Sequence, residues 1–144
     1  MPACYLDTSA ILKRYVNEET SAAFDTFVLA RGFEFVLTPL ALTEVAAALR
    51  RRLRMGDFSA RYAALASRRF QDDLSGSDWR LVDFDPAAFR DAANLISTLP
   101  VPLATLDALH LASALRLEVD AFATADKQLA TAAKRARLRV ISFF

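Results

Sequence analysis

The sequence contains only one cysteine, one histidine, three glycines and five prolines among 144 residues. The single cysteine, Cys4, can form no internal disulfide, and its place in an apolar run is typical of a buried strand in a protein from a reducing compartment. One histidine and one cysteine are also too few for a zinc site built from those ligands. The scarcity of glycine and proline leaves little sequence for linkers, so we expect one domain spanning residues 1–144.

Targeting signals and nucleotide-binding motifs are also missing. No basic region followed by a long apolar stretch opens the chain, since Asp7 interrupts it early, and this argues against a secretory signal. The apolar stretch 92–115 contains Pro100, Pro102, Asp107 and His110, which argues against a membrane-spanning helix. We therefore expect a cytoplasmic protein. No Gly-rich phosphate loop or dinucleotide fingerprint supports a nucleotide-binding enzyme of those kinds.

Apolar residues are abundant. They make up 54% of the chain and include 11 phenylalanines. This exceeds what one small core requires, so we expect some of the apolar surface to be buried against another chain.

The net charge is only +1, but eleven of the 18 cationic side chains lie in two clusters. These are Arg50, Arg51, Arg52, Arg54, Arg61, Arg68 and Arg69, and Lys134, Arg135, Arg137 and Arg139. Cations at the end of a helix complement its dipole, which is one interpretation. Contact with phosphates is the other, and it makes Arg50, Arg51, Arg52 and Arg54 candidate phosphate-binding residues.

Apolar runs alternate with segments of helical periodicity along the chain. The predicted strands are Ala3–Leu6, Glu34–Leu37, Trp79–Phe84, Ala121–Thr124 and Leu138–Ser142. The predicted helices are Thr8–Val16, Ser21–Ala30, Pro39–Arg54 after a Thr38 cap, Ser59–Leu74, Pro86–Thr98, Thr105–Leu117, and one capped by Asp126 that runs through Ala136. This alternation predicts an α/β fold with a mainly parallel central sheet and helices on both faces.

Four carboxylates stand at informative positions. Asp7 directly follows the first predicted strand and Asp126 follows the fourth, so a parallel sheet places both at one edge. Glu44 and Asp107 are the only charged residues within long apolar stretches. A carboxylate in such surroundings needs a partner, a proton or a metal ion. If the four converge, they suit Mg²⁺ or Mn²⁺, which can activate water for hydrolysis of a nucleic-acid phosphodiester.

Each acid also has a purely structural interpretation. Asp7 and Asp126 can be helix N-caps, and Asp107 can complement a helix dipole in a first turn. Glu44 lies one turn or more into its helix, and of the four acids it is the hardest to dismiss as a structural residue. Hydroxyls flank the acids and are candidates to hold the carboxylates in place: Thr8, Ser9, Thr105 and Thr124. His110 lies mid-helix among leucines, which favours a core histidine over a catalytic base.

These residues together resemble a known family. The segments Tyr5-Leu6-Asp7-Thr8-Ser9-Ala10, Glu44, Asp107-Ala108-Leu109-His110-Leu111-Ala112-Ser113-Ala114 and Thr124-Ala125-Asp126 are similar to those of PIN domains, and most closely to VapC-type toxins of bacterial toxin–antitoxin pairs. The resemblance spans almost the whole chain, and Asp7, Glu44, Asp107 and Asp126 match the acidic catalytic and metal-binding residues of the family.

The resemblance implies an endoribonuclease that uses Mg²⁺ or Mn²⁺, forms a homodimer and is held inactive by a small antitoxin protein. Many relatives carry a glycine in the turn before the strand that precedes the fourth acid. Here that turn is Arg116-Leu117-Glu118-Val119-Asp120, without a glycine.

Two other functions compete with this hypothesis. A phosphatase with Asp7 as nucleophile usually has a second aspartate two residues later, where this chain has Ser9. A phospho-accepting receiver, or a catalytically silent binding module on the same kind of sheet, is the alternative from a different class. A receiver needs an acidic pair near the first strand, whereas Asp7 stands alone.

Overall fold

The computed structural model describes the whole chain from Met1 to Phe144 and contains one five-stranded sheet. Its strands are β1 (Ala3–Leu6), β2 (Glu34–Leu37), β3 (Arg80–Leu81), β4 (Ala121–Thr124) and β5 (Val140–Ser142). Every neighbouring pair is parallel, and the strand order is β3-β2-β1-β4-β5. The prediction of a mainly parallel α/β sheet is confirmed.

Seven helices connect the strands. They are α1 (Thr8–Tyr15), α2 (Ser21–Leu29), α3 (Leu40–Arg54), α4 (Ala60–Ser75), α5 (Ala88–Thr98), α6 (Thr105–Arg116) and α7 (Lys127–Arg135). None of them is long and apolar enough to cross a membrane.

Successive side chains along β1 point to opposite faces of the sheet and pack in two separate apolar clusters. Cys4 and Leu6 of β1 pack in a cluster that includes side chains of α1, α2, α3 and α4, such as Ile11 and Phe70. Tyr5, between them, packs instead with residues of β4, α6 and α7. Because neighbouring strand residues point to opposite faces, helices cover the sheet on both sides, as the apolar strands require.

The central position of β1 determines where a site can form. The chain passes from β1 to β2 on one side, and later returns to place β4 on the other. Such a reversal of strand order opens a crevice beyond the carboxyl ends of the strands. Leu6 pairs in register with Ala123, so the residues that follow β1 and β4 meet at this edge.

The element boundaries differ from prediction by two or more residues in three places. The third strand contains only Arg80 and Leu81 rather than Trp79–Phe84, because it lies at the sheet edge and pairs with just two residues of β2. The fifth strand is likewise shortened to Val140–Ser142, and α5 begins at Ala88 rather than Pro86.

The predicted cap of α3 is wrong. Pro39 precedes the first helical residue, and no side chain caps this helix. The Thr38 hydroxyl lies 3.2 Å from the Tyr5 hydroxyl, within hydrogen-bonding distance. At the start of the helix, Thr38 contributes only its backbone carbonyl, which accepts a hydrogen bond from the Ala41 amide. The side chain is therefore committed to the core rather than to the helix end.

The turn that follows α6 contains no glycine, and one of its residues has a strained backbone conformation. Glu118, just after α6, has φ of 53°, in the left-handed region that favours glycine. The Glu118 amide donates to the Leu115 carbonyl, and the Val119 amide to the Ala114 carbonyl. The chain thus makes this turn without glycine, at a cost of about 1 kcal/mol for a side chain in this conformation.

Candidate active site

Asp7 links the end of β1 to the start of α1. Its Oδ1 atom accepts from the Ala10 amide at 2.9 Å, so it is the N-cap of α1. Ser9 donates to both carboxylate oxygens at 2.8 Å, and Thr124 donates to Oδ2 at 2.7 Å. The carboxylate is almost fully buried, and burial raises its pKa although these hydrogen bonds oppose the shift.

Asp126 repeats this arrangement at the neighbouring strand. Its Oδ1 atom accepts from the Leu129 amide at 3.0 Å and caps α7, while its own amide donates to the Thr124 hydroxyl. Thr124, the last residue of β4, therefore contacts both the Asp7 carboxylate and the Asp126 backbone. Asp7 and Asp126 are N-caps and also share one edge of the sheet, so the structural interpretation and the site are compatible.

Glu44 lies in the second turn of α3 and contacts the first residue of α1. Its Oε1 atom accepts from the Thr8 hydroxyl at 2.8 Å and is also hydrogen-bonded to His110 Nε2. Burial alone raises the pKa of the Glu44 carboxyl, but the bonds from His110 and Thr8 outweigh it and hold the pKa below its ordinary value. The side chain that stood isolated in sequence thus has a partner from a distant helix.

Asp107 lies in the first turn of α6 and has no hydrogen-bonded protein partner among the side chains around it. Burial raises its pKa to about 6, and the negative charges of Asp126, Asp7 and Glu44 add to this effect, while His110 opposes it. The repulsion indicates that the four acids are close enough to interact electrostatically.

One cavity of about 350 Å³ contains all four carboxylates in its wall. We call it the acidic cavity; Thr8, Ser9, Arg51, Leu106 and His110 also line it. The ion pairs of the structure leave the four carboxylates without a lysine or arginine partner, and His110 is the one basic side chain bonded to any of them. Excess negative charge thus collects at the crevice that the sheet topology predicts.

The donor set suits a hard divalent cation, because every candidate ligand is a carboxylate oxygen. As the side chains stand, however, no three of the His, Cys, Asp and Glu residues converge closely enough to hold an ion. Two of the acids are turned towards helix amides, and Glu44 is turned towards His110. The residues therefore fit such an ion in their chemistry, and all four line the same cavity.

The structure separates the predicted supporting residues into two groups. Thr8, Ser9 and Thr124 all donate hydrogen bonds to candidate ligands, as described above. Thr105 does not join them: it is exposed at the start of α6, does not line the acidic cavity, and its hydroxyl does not cap the helix.

The predicted arginines are divided in the same way. Arg51 lines the acidic cavity because it lies seven residues, or two turns, after Glu44 on the same face of α3. Arg52 instead forms an ion pair with Asp57, and Arg50 and Arg54 lie outside the cavity wall.

His110 was predicted to be a satisfied core histidine, and it is buried and hydrogen-bonded. Its contact with Glu44 was missed. One available signal was its spacing from Asp107, because residues three apart on a helix share a face.

Comparison with known proteins agrees with this architecture. Residues 4–135 match the family model described as PIN domain. The chain is 39% identical over 144 residues to Ribonuclease VapC46 of Mycobacterium tuberculosis, covering 99% of this chain and 98% of that protein.

Two solved structures share the fold at low sequence identity. VapBC2 from Rickettsia felis, bound to a DNA fragment from its promoter, gives a TM-score of 0.70 at 12% identity and covers 99% of both chains. VapC20 of Mycobacterium tuberculosis, described as a toxin that cleaves the sarcin-ricin loop, gives 0.68 at 11% identity and covers 90% of this chain and 94% of its own. Because the family model matches most of this chain, the chain belongs to the PIN domain family.

Proposed function

We propose that this protein is an Mg²⁺- or Mn²⁺-dependent endoribonuclease that hydrolyses RNA phosphodiester bonds at the acidic cavity. The observation that carries the proposal is the presence of four carboxylates, without a lysine or arginine partner, in one cavity at the carboxyl edge of the sheet. Such an uncompensated cluster is stabilised by a divalent cation. The name Ribonuclease VapC46 of the 39% identical relative supports the same activity.

Each acid has a definite place in the proposed site. Asp126 offers Oδ2, Asp7 offers Oδ2 in exchange for one of its bonds from Ser9 and Thr124, Asp107 offers an unpartnered carboxylate, and Glu44 offers Oε2. When bound, Mg²⁺ or Mn²⁺ lowers the pKa of a water and neutralises the charge that develops on the phosphodiester. Ser9 and Thr124 keep Asp7 in its rotamer by donating to it.

Arg51 gives the acidic cavity its cationic wall. A phosphate next to the scissile bond can contact this guanidinium while the acids hold the ion, and Arg51 thereby offsets the repulsion between RNA and the four carboxylates.

The proposal extends to partners. We propose a toxin of a toxin–antitoxin pair, acting in the cytoplasm, held inactive by a small cognate antitoxin and assembled as a homodimer. The description of VapC20 as a toxin supports the first part. Exposed apolar side chains, among them Leu65, Phe89 and Ile96, support burial against another chain.

The deciding experiment combines a metal series with one conservative variant. Purified wild-type protein should cleave RNA with Mg²⁺ or Mn²⁺ and lose activity in EDTA. Asp7→Asn should lose activity at least about 100-fold while retaining its circular dichroism spectrum, since the amide oxygen still accepts from the Ala10 amide. Asp72→Asn, an exposed change on α4, is the matched control and should keep full activity. Cleavage by Asp7→Asn at the wild-type rate would refute the site assignment.

A further inference from the structure

A chain of buried hydrogen bonds runs from the sheet to the acidic cavity. Thr38 Oγ1 lies 3.2 Å from the Tyr5 hydroxyl, and the Tyr5 hydroxyl lies 2.7 Å from His110 Nδ1. His110 Nε2 contacts Glu44 Oε1. Thr38, Tyr5 and His110 are each at most 1% exposed, so no solvent competes for these bonds. Four polar groups from β1, α3, α6 and the segment before α3 therefore form one connected path.

The contact with Glu44 fixes one proton on the imidazole ring. An ionised Glu44 only accepts, so His110 Nε2 must carry the proton that it shares with Glu44. On the opposite side of the ring, Nδ1 lies within hydrogen-bonding distance of the Tyr5 hydroxyl, which in turn lies within reach of Thr38. The ring is therefore held by polar contacts at both nitrogens.

Packing holds the middle of the path rigid. The Tyr5 ring stacks on Phe122 with an interplanar angle of 2°, and meets the His110 ring edge-on with centroids 5.7 Å apart. Tyr5 also belongs to the apolar cluster beneath α6 and α7. The Tyr5 hydroxyl is therefore a fixed point against which the imidazole is aligned.

These hydrogen bonds restrain the side chain of Glu44. Both of its hydrogen bonds, from Thr8 and His110, are made by Oε1, which leaves Oε2 without a protein donor in the acidic cavity. A glutamate on a helix otherwise samples several rotamers, and holding one of them pre-organises the carboxylate for a ligand.

We propose that His110 is a positioning residue, which fixes Glu44 so that Oε2 is available to a divalent cation, and that Tyr5 holds the His110 ring in place from its Nδ1 side. This inference rests on the proposed function, because it assigns a role at the same acidic cavity. It assigns His110 no contact with the RNA and no proton transfer in the reaction.

The first test determines which imidazole nitrogens of His110 carry a proton in the metal-free wild-type protein. Because the chain contains a single histidine, a long-range ¹H–¹⁵N spectrum of imidazole-labelled protein has one assignable set of signals. The proposal requires a proton on Nε2. An imidazole protonated only on Nδ1 would overturn it.

The second test measures Mn²⁺ affinity by calorimetry in four variants. His110→Gln places an amide donor near the former Nε2 and should bind within about 3-fold of wild type, whereas His110→Asn is too short to reach Glu44 and should bind about 10-fold or more weakly. Tyr5→Phe removes the contact with Nδ1 and should give an intermediate loss. Leu109→Val, a buried change on the face of α6 that packs in a separate apolar cluster outside the acidic cavity, should leave the affinity unchanged.

The outcomes separate the two proposals. If wild type binds Mn²⁺ and His110→Asn binds equally well, the positioning role is wrong and the nuclease assignment stands. If His110→Asn and Leu109→Val weaken binding alike, the effect is general disturbance of α6, which also overturns the role. If wild type itself binds no Mn²⁺, the proposed function fails and the role toward the cation fails with it.

Discussion

Replacing Asp107 by asparagine should stabilise the metal-free protein above pH 7. The pKa of Asp107 is raised from 3.8 to about 6, by burial first and then by the charges of Asp126 and Asp7. The folded state therefore holds this proton more tightly than the unfolded state does. Ionisation of Asp107 weakens the fold progressively as pH rises from about 4 to about 6, and the full penalty is present above that range.

The magnitude follows from that shift. About two pKa units correspond to at most about 3 kcal/mol, and because Asp107 is only partly buried, solvent screening reduces this to about 1–2 kcal/mol. Asparagine removes the penalty but also loses a carboxylate from the first turn of α6, which contributes about 0.3–1 kcal/mol. Relief of repulsion is the larger effect. We expect a net gain of about 1 kcal/mol, or a rise in Tm of about 2–4 °C for a chain of this size.

Differential scanning calorimetry of chelator-treated samples at pH 7.5 and pH 4 tests this reasoning. The advantage of Asp107→Asn should be present at pH 7.5 and shrink at pH 4, where folded Asp107 is protonated. Mn²⁺ at 100 times its Kd should increase the free energy of unfolding of wild type by about 2.7 kcal/mol and so raise its Tm. The same concentration should raise the Tm of Asp107→Asn much less.

A matched control separates the pocket from the helix dipole. Asp91 also lies in a first turn, that of α5, but pairs with Arg116 outside the acidic cavity. Asp91→Asn should lower Tm slightly and leave the Mn²⁺ effect intact. A lower metal-free Tm for Asp107→Asn, together with an undiminished gain from Mn²⁺, would show that Asp107 only serves its helix and would remove it from the site.

Three further expectations follow from the same structure. Arg51→Ala should weaken binding of a non-cleavable RNA and reduce the slope of log affinity against log salt concentration by about one counterion. Arg50→Ala, outside the cavity wall, should change this slope less. Equal effects of the two changes would assign both arginines to a diffuse surface. Glu118→Gly should raise the free energy of unfolding by about 0.5–1 kcal/mol in urea titrations, since glycine relieves the φ of 53°, and a loss of stability would show that the side chain matters more than the backbone. Light scattering at tens of micromolar should give the mass of a dimer, about twice 15.9 kDa, and a monomer would contradict the proposed assembly.

Apolar runs predicted β1, β2 and β4 to the residue, because strands buried on both faces leave a continuous hydrophobic signal. The third strand was predicted too long, since the number of residues that pair depends on the neighbouring β2 and not on local composition. The role of Thr38 was wrong for a similar reason. A hydroxyl before a helix predicts a cap, and only the proximity of Tyr5 in the folded chain gives it another partner.

The sequence alone placed Asp7 and Asp126 at one edge of the sheet, since both follow strands and parallel strands end at the same edge. It also identified Glu44 and Asp107 as acids in apolar surroundings, where a carboxylate requires compensation. Tertiary structure decided which groups these acids meet. Glu44 and His110 are 66 residues apart, and their contact exists only because α3 and α6 both approach the end of β1. Periodicity and composition report local geometry and burial, whereas a hydrogen bond depends on the approach of two atoms, which the packing of the whole chain determines.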